Sequence, residues 1–232
     1  MTSRMKDGLL VALIVAMWLL AIAAFGLQCP PHTGPFGKSA LSPDGRTLVC
    51  LVDAAVSNKY ELYGVNGITP PWRISHNMAD DRDVIAFAVS SDRVAFTSDF
   101  QRGGQWYELY SAPTSGSLPP VKLSGVTPFD HDVDDFAFSG DERRVVYRKG
   151  RNATGVWELY SAPSSEFGGP PNRLISQPGI AAVQRGFIVS GNVVKFSQDP
   201  SGSGVPTWYS VTVLGGAEIF ADGFESGGVT KW

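Results

Sequence analysis

Two acidic segments contain the residues of this sequence that are best suited to chemistry. One reads Asp80-Asp81-Arg82-Asp83 and the other reads Asp130-His131-Asp132-Val133-Asp134-Asp135. Both precede inner members of a set of four repeated units, whereas the first and last units lack such a cluster. The residues of a binding site should differ from one unit to the next, because residues that every unit shares are architectural. We therefore predict a binding site that contains Asp81, Asp83, Asp132 and Asp134.

These carboxylates do not by themselves indicate a metal. The alternation of Asp130, Asp132 and Asp134 could direct oxygen ligands at a hard cation such as Ca²⁺. The segment lacks the glycine and the distal glutamate of an EF-hand loop, however, so solvated turn carboxylates are the preferred interpretation. We expect neither a metal nor another cofactor.

Nucleophilic catalysis has little support in the sequence. There is no Gly-x-Ser-x-Gly segment, and the three histidines stand alone, at His32, His76 and His131. A Ser-His-Asp triad is therefore not indicated. Gly37-Lys38-Ser39 resembles the end of a P-loop, but His32 stands where the first glycine belongs. We expect a non-catalytic protein. The alternative is a hydrolase that uses the acidic segments, which predicts a cleft that gathers their carboxylates.

The elements that must position these acids recur with a nearly constant period. Similar segments begin at aromatic residues 47, 50 and 51 residues apart, namely Tyr60, Tyr107, Trp157 and Trp208. A second marker is a polar turn whose first residues are 48, 49 and 51 apart, namely Ser42, Ser90, Ser139 and Ser190. Two markers with one period indicate four repeated supersecondary units.

Each unit has the pattern of four short strands separated by turn residues. In the third unit the strands are expected near 135–139, 144–148, 156–162 and 172–175, and in the last unit the outer strand is expected at 218–221. Inner strands such as 84–89 are apolar on both faces, so each sheet must be covered on both sides. We predict an all-β, β-propeller-like fold of four repeats of four antiparallel strands, either a closed four-bladed disc or an open arc.

One acidic position recurs within the strands. Glu61, Glu108 and Glu158 occupy equivalent places, with Ser210 taking that place in the last unit. A glutamate within an apolar strand needs a partner. We predict structural ion pairs with arginines on neighbouring strands, namely Arg46, Arg93 and Arg144.

The beginning of the chain has the layout of an export signal. Arg4 and Lys6 precede an apolar run over residues 8–27, in which Ala21-Ile22-Ala23 offers a small-x-small cleavage site. Residues 1–28 are predicted to be a helical leader, either a signal peptide or an uncleaved membrane anchor. We expect a periplasmic or secreted protein that contacts a membrane only through this leader.

The two cysteines leave three alternatives open. Cys50 lies in an apolar strand and could be a buried small hydrophobe. A disulfide with Cys29 is permitted in an oxidising compartment. Lipid attachment to Cys29 is disfavoured, because Gln28 stands where a small residue is expected.

After the leader, the chain is predicted to contain a single domain. The expected order is a linker over 29–36, a propeller over 37–222 with units near 37–76, 82–125, 133–176 and 184–221, and a tail over 223–232. Nineteen basic residues stand against 22 acidic ones, for a net charge of −3. This balance, without basic clusters, argues against nucleic acid as a partner.

Several segments carry a family resemblance. Ser42-Pro43-Asp44-Gly45-Arg46, the run over 138–147 and the repeated Glu-Leu-Tyr-Ser-Ala-Pro resemble the WD40-like (PD40) repeats of TolB-type propellers, over about residues 36–216. The resemblance implies a propeller of the bacterial envelope or of secreted type that binds a protein or an envelope component. An open arc further predicts a possible homodimer that covers its edges. The segment from Glu218 to Trp232 resembles a terminal signature of secreted bacterial proteins.

Overall fold

The protein folds into four antiparallel sheets of four strands each. The computed structural model describes residues 27–31, 37–53, 59–76, 83–99, 106–125, 131–151, 155–165, 173–174, 176, 182–199, 204–213 and 229–231. Each sheet follows the chain order of its strands from one edge to the other. The prediction of an all-β fold built from four such repeats is confirmed. Most of the predicted leader, residues 1–26, lies outside the described residues.

The sheets are named blades one to four in chain order. Blade one contains β1 (Lys38–Leu41), β2 (Leu48–Val52), β3 (Glu61–Val65) and β4 (Trp72–Arg73). Blade two contains β5 (Val84–Val89), β6 (Arg93–Ser98), β7 (Glu108–Pro113) and β8 (Val121–Lys122). Blade three contains β9 (His131–Phe138), β10 (Arg144–Arg151), β11 (Val156–Pro163) and β12 (Arg173–Leu174). Blade four contains β13 (Ile188–Ser190), β14 (Val193–Gln198), β15 (Thr207–Thr212) and β16 (Val229–Lys231).

Polar turns close the first hairpin of each blade. Ser42 donates its hydroxyl to Asp44 over 2.6 Å and accepts the Thr47 amide over 3.0 Å. Ser139 and Asp141 repeat the first of these bonds at 2.6 Å. The hydroxyl hydrogen bond is the main reason that the pKa of each of these two aspartates lies below its usual value. These turns mark one end of the blades, which we call the turn face. The opposite end, where the innermost strands begin, is the junction face.

Apolar side chains hold neighbouring blades together. Three fully buried leucines occupy one position on the third strands and pack against the following blade, namely Leu62, Leu109 and Leu159. Burying one such side chain contributes roughly 1.5–3 kcal/mol. Aromatic rings stack within the last three blades with centroids 5.6 to 5.8 Å apart, in the pairs Phe96–Tyr110, Tyr147–Tyr160 and Phe196–Tyr209.

Blade four presents a sheet face against which no other blade packs among the described residues. Strand register puts Trp208 at the position of the buried leucines, yet its side chain is 46% exposed. On the same face Ile188 is 54% exposed, and the adjacent Lys195 is also exposed. A closed ring would bury this face against blade one. Among the described residues, therefore, the four blades do not close into a ring.

The free face of blade one is covered differently. Cys50, Val52 and Val65 are buried there, and Leu27 and Cys29 pack against them. Cys29 and Cys50 form a disulfide with their Cα atoms 5.8 Å apart. Of the three alternatives for the cysteines, the structure therefore shows the disulfide, which leaves no Cys29 thiol for a lipid.

The last repeat differs from the predicted alignment. Tyr209 stacks on Phe196 as Tyr110 stacks on Phe96, so Trp208 is equivalent to Leu109 and not, as predicted, to Tyr107. Thr207, opposite Gln198, is then the residue at the glutamate position, and the prediction of Ser210 was wrong by three residues. The structure also pairs Val229–Lys231 with β15 as the outer strand, within the segment predicted to be a tail. Residues 218–221 lie outside the described residues.

Two of the recurring glutamates, Glu61 and Glu108, form ion pairs, but not with the predicted arginines. Glu61 is buried and contacts Arg73 at 2.9 Å and Lys59 at 3.3 Å. Glu108 is buried and contacts Lys122 at 2.5 Å. Each also accepts the hydroxyl of the tyrosine two residues later, and Glu158 accepts that of Tyr160 over 2.5 Å.

The predicted arginines lie near the turn face, at the far end of the strands. Arg93 is opposite Pro113 and donates to the Ser111 hydroxyl over 2.9 Å. Arg144 is opposite Pro163 and donates to the Ser161 hydroxyl over 3.1 Å. Arg46 contacts its neighbour Asp44 in the first turn. The glutamates lie near the junction face, where Glu61 and Glu108 begin their strands and Glu158 is the third residue of β11, so strand length separates the two sets.

Candidate functional site

Two of the predicted site residues fasten consecutive blades at the junction face. Asp83 precedes β5 and accepts the amide of Tyr60 in blade one over 2.7 Å. Asp132 accepts the amide of Tyr107 in blade two over 2.8 Å. The repetition of the contact shows an architectural role, since each carboxylate satisfies a backbone donor of the preceding blade. Asp81 lies outside the described residues.

The third junction is built differently. Ala182 stands before the bridge residue Val183, where the first two junctions have an aspartate. Instead, the Nε of Arg148 donates to the Val183 carbonyl over 2.7 Å. The same guanidinium pairs with Asp134 and lies 4.1 Å from the ring centroid of Trp157. Arg148 therefore joins blades three and four and breaks the pattern of the repeat.

A β-bulge places Asp134 at this junction. Val133 pairs with Lys149 and Asp135 with Arg148, so Asp134 is the additional residue of β9. A bulge in β5 makes Ile85 its counterpart in blade two. Bulges redirect a side chain out of the regular alternation of a strand and are frequent next to functional sites. A charged residue thus stands in blade three where blade two has an isoleucine.

Asp134 is shared by two arginines. Its Oδ2 accepts Arg148, which is buried, and the Nε of Arg185 over 2.8 Å. The Arg185 side chain is 75% exposed, so this second pair lies at the surface. The other oxygen, Oδ1, is buried and has no hydrogen-bond partner among the described residues. Asp134 thus has one oxygen, Oδ1, without a hydrogen-bond partner among the described residues, while its other oxygen is in a weak surface ion pair with Arg185.

Asp134, Trp157 and Arg185 line a cleft of about 260 Å³ between blades two, three and four. We call it the junction cleft. Its walls combine aromatic and apolar side chains with charges, and they include Ile85, Thr97, Tyr107, Asp134, Trp157 and Arg185. Such a mixture is typical of sites that bind a ligand with an apolar body and a polar end.

The junction cleft lies in a negative electrostatic environment. Burial raises the pKa of Tyr107 above its usual value, and the nearby carboxylates of Asp99, Asp132 and Asp83 raise it further. Each of these acids opposes the formation of a phenolate because like charges repel. The same field favours cations on this surface.

A larger cavity of about 500 Å³ lies at the turn face between blades two and three. Glu142 lines it with a positive φ of 59° and accepts the amide and the hydroxyl of Ser91, over 2.9 and 3.2 Å. Arg93 and Asp141 also line it, and both belong to contacts that recur from blade to blade. The junction cleft is therefore the better candidate for a site.

The sequence prediction identified two residues that line this cleft, Asp132 and Asp134, of which Asp134 breaks the repeat. It missed Trp157 and Arg185 as site residues, and also Arg148, which contacts both Asp134 and Trp157. Comparison of the second strands could have revealed Arg148, because its counterparts Leu51, Thr97 and Ser197 are uncharged. Within the described ranges, no three His, Cys, Asp or Glu side chains are placed to hold a metal ion. Nor does that part of the chain include a helix long and apolar enough to cross a membrane.

Comparison with known proteins supports the fold. A solved structure from a study of two prolyl endopeptidases matches with a TM-score of 0.54 at 13% identity, over 84% of this chain and 26% of that one. Prolyl oligopeptidase B from Galerina marginata matches with a TM-score of 0.53 at 12% identity, over 83% of this chain and 25% of that one. The chain thus spans about a quarter of these peptidases, a class with a β-propeller domain.

At such low identity the likeness defines a β-propeller type of fold and nothing finer. No protein-family model matches the sequence, and the search of curated proteins finds no significant match. The relationship to TolB-type propellers therefore stays a prediction.

Proposed function

We propose that this protein is an exported, non-catalytic, TolB-like propeller module that binds a protein or an envelope component through its junction face. The observation that carries the proposal is the junction cleft, where Asp134 pairs with Arg148 and Arg185, whereas the counterparts of Arg148 on the other second strands are uncharged. Asp83 and Asp132 form the blade junctions beside it and contribute negative charge. The Cys29–Cys50 disulfide supports export, because such bonds persist in oxidising compartments.

The arrangement of the carboxylates favours binding over a hydrolase. Asp83 and Asp132 each accept a backbone amide of a different blade. Asp134 is neutralised by two guanidinium groups. A pair of carboxylates for acid–base catalysis needs both side chains aimed at one substrate position. Asp132 and Asp134 line the same cleft, but Asp132 accepts a backbone amide and Asp134 pairs with two arginines.

Capture of a partner tests the proposed function. The full chain, immobilised in a mild detergent, is exposed to envelope and culture-medium extracts of the source organism. We expect a specific protein or envelope component to be retained by the wild type and lost from an Asp134→Asn, Arg185→Gln variant. The matched control is Asp92→Asn, Arg143→Gln at the cavity of the turn face, which should retain it. Equal retention by all three proteins would contradict a site on the junction face.

Self-association is a second candidate function, favoured by the exposed face of blade four. Trp208 and Ile188 stand there in positions that the other blades bury or half-bury. Blade one is covered by its disulfide-linked segment, so a second copy would meet blade four with its own blade four. Sedimentation velocity should then show a dimer that Trp208→Ser converts to a monomer with little change in melting temperature. A wild-type monomer at all concentrations would exclude this candidate.

A further inference from the structure

We propose that the junction cleft binds a cationic side chain of the partner, arginine in preference to lysine, and that this side chain displaces Arg185 from Asp134. The inference rests on the proposed function and specifies the chemistry of its ligand. Its first support is size. A cleft of about 260 Å³ is at or below the lower limit of small-molecule pockets, which is roughly 300 Å³. It suits one side chain of a protein.

The walls of the cleft match the parts of an arginine side chain. Ile85, which is 46% exposed, and the aromatic Tyr107 and Trp157 provide apolar surface for the methylene stem. Asp134 provides a carboxylate for the guanidinium. Arginine has a planar fork of donors that pairs with both oxygens of a carboxylate, whereas a lysine ammonium acts as a point charge.

The present partner of Asp134 leaves that carboxylate incompletely satisfied. Arg185 donates through one nitrogen to Oδ2, while Oδ1 is buried with no hydrogen-bond partner in the described part of the chain. A guanidinium that pairs with both oxygens would satisfy an acceptor that Arg185 does not reach. Burying such an acceptor without a partner is unfavourable, so this contact favours exchange.

Arg185 is the exchangeable member of the pair of arginines. Its side chain is 75% exposed, and ion pairs at that exposure contribute little to stability. Arg148, in contrast, is buried, stacked on Trp157 and bonded to the Val183 carbonyl. Arg148 therefore stays in place and Arg185 acts as an internal substitute for the ligand cation.

Charge around the cleft favours a cation. Facing this region are Asp83, Asp99 and Asp132, which together act on Tyr107, and Asp135, which accepts the Gly186 amide over 3.2 Å. Against them and Asp134 stand the two arginines. Once Arg185 moves away from Asp134, Arg148 is the cation that still pairs with this carboxylate among the described residues, and an incoming cation restores the balance.

A peptide titration tests the proposal. The probe is acetyl-Ala-Arg-Ala-amide, and its control contains citrulline, which has nearly the same shape without the charge. Binding to the full chain is followed by calorimetry and by tryptophan fluorescence. We expect the arginine peptide to bind at least tenfold more tightly than the citrulline peptide and more tightly than its lysine counterpart. Equal affinities for the arginine and citrulline peptides, or no binding of either, would overturn the proposal.

The decisive variant is Arg185→Gln. Removing an exposed competitor should raise the affinity for the arginine peptide about two- to fivefold. A purely structural Arg185, or an Arg185 that itself contacts an anionic ligand, predicts unchanged or weaker binding, and either result would contradict displacement. Asp134→Asn should lower the affinity at least tenfold. Because that variant also deprives Arg148 of its partner, its circular dichroism and melting temperature are compared with those of wild type.

The outcomes separate this inference from the proposed function. Retention of an extract component that does not compete with the arginine peptide would keep the binding function and refute the cationic ligand. Tight peptide binding without any retained component would keep the cleft as a cation site and refute the protein or envelope partner.

Discussion

Replacing Glu108 with alanine should lower the free energy of unfolding by about 3–5 kcal/mol. The Glu108 carboxylate is 1% exposed, lies 2.5 Å from the Lys122 ammonium and accepts the Tyr110 hydroxyl over 2.7 Å. Its removal leaves Lys122 charged and largely buried while Tyr110 loses this acceptor. The free-energy cost of leaving the Lys122 charge without its partner inside the blade exceeds the cost of losing the apolar contacts of the Glu108 side chain. Urea denaturation followed by circular dichroism measures the change.

Matched variants identify the cause of that loss. Glu108→Gln keeps an acceptor for Tyr110 but removes the charge, so its effect should be intermediate. Glu108→Met with Lys122→Met removes both charges together and should recover much of the stability, because a buried pair replaced by apolar groups is often neutral. Arg46→Ala, at a side chain that is 85% exposed, is the surface control, with an effect within about 0.5 kcal/mol. A loss below about 1 kcal/mol in Glu108→Ala would contradict a structural ion pair.

The repeat predicted that the glutamates are structural, but it could not predict their partners. Periodicity identifies which positions are equivalent, whereas an ion pair depends on which end of each strand the partners occupy. Arg93 and Glu108 lie on adjacent strands but at opposite ends, because Arg93 is opposite Pro113 and Glu108 is opposite Ser98. Lys122 enters from the outer strand β8, whose two residues carry almost no sequence pattern.

The last repeat shows the limit of sequence alignment in another way. Trp208 and Tyr209 are both aromatic, and the sequence alone favours aligning the tryptophan with Trp157. Strand register makes Tyr209 the equivalent of Tyr160, so Trp208 takes the position of Leu159, on the face against which no described blade packs. The lack of closure among the described blades follows from the same observation, and no pattern within a repeat shows whether a ring closes.

The sequence can identify a residue of the candidate site only where that residue differs from its counterparts in a repeat that has already been recognised. Asp134 belongs to a conspicuous acidic run, yet so do Asp83 and Asp132, which turn out to hold blades together. Asp134 differs from these two because it is the additional residue of a bulge in β9. A bulge depends on how neighbouring strands pair, which the sequence pattern does not show. Arg185 reaches Asp134 from the segment before β13, 51 residues along the chain.

Removing the Cys29–Cys50 disulfide should lower the free energy of unfolding by about 3 kcal/mol. The two cysteines are 21 residues apart in sequence, and closing a loop of this length restricts the unfolded chain by roughly that amount. The double variant Cys29→Ser, Cys50→Ala keeps a small apolar group at the fully buried position. Urea denaturation of this variant, and of wild type with and without dithiothreitol, measures the effect.

The comparison with dithiothreitol decides whether the bond or the side chains matter. Reduction should bring wild type close to the variant, while the variant itself should not respond to the reductant. Val52→Ala removes buried surface from the same face without affecting the disulfide and provides a control for packing. The bond also holds Leu27 and Cys29 against the face that a closed propeller would cover with its last blade. If reduction leaves the stability of wild type unchanged, the segment with Leu27 and Cys29 stays in place without the covalent link. Apolar contact alone then covers this face of blade one.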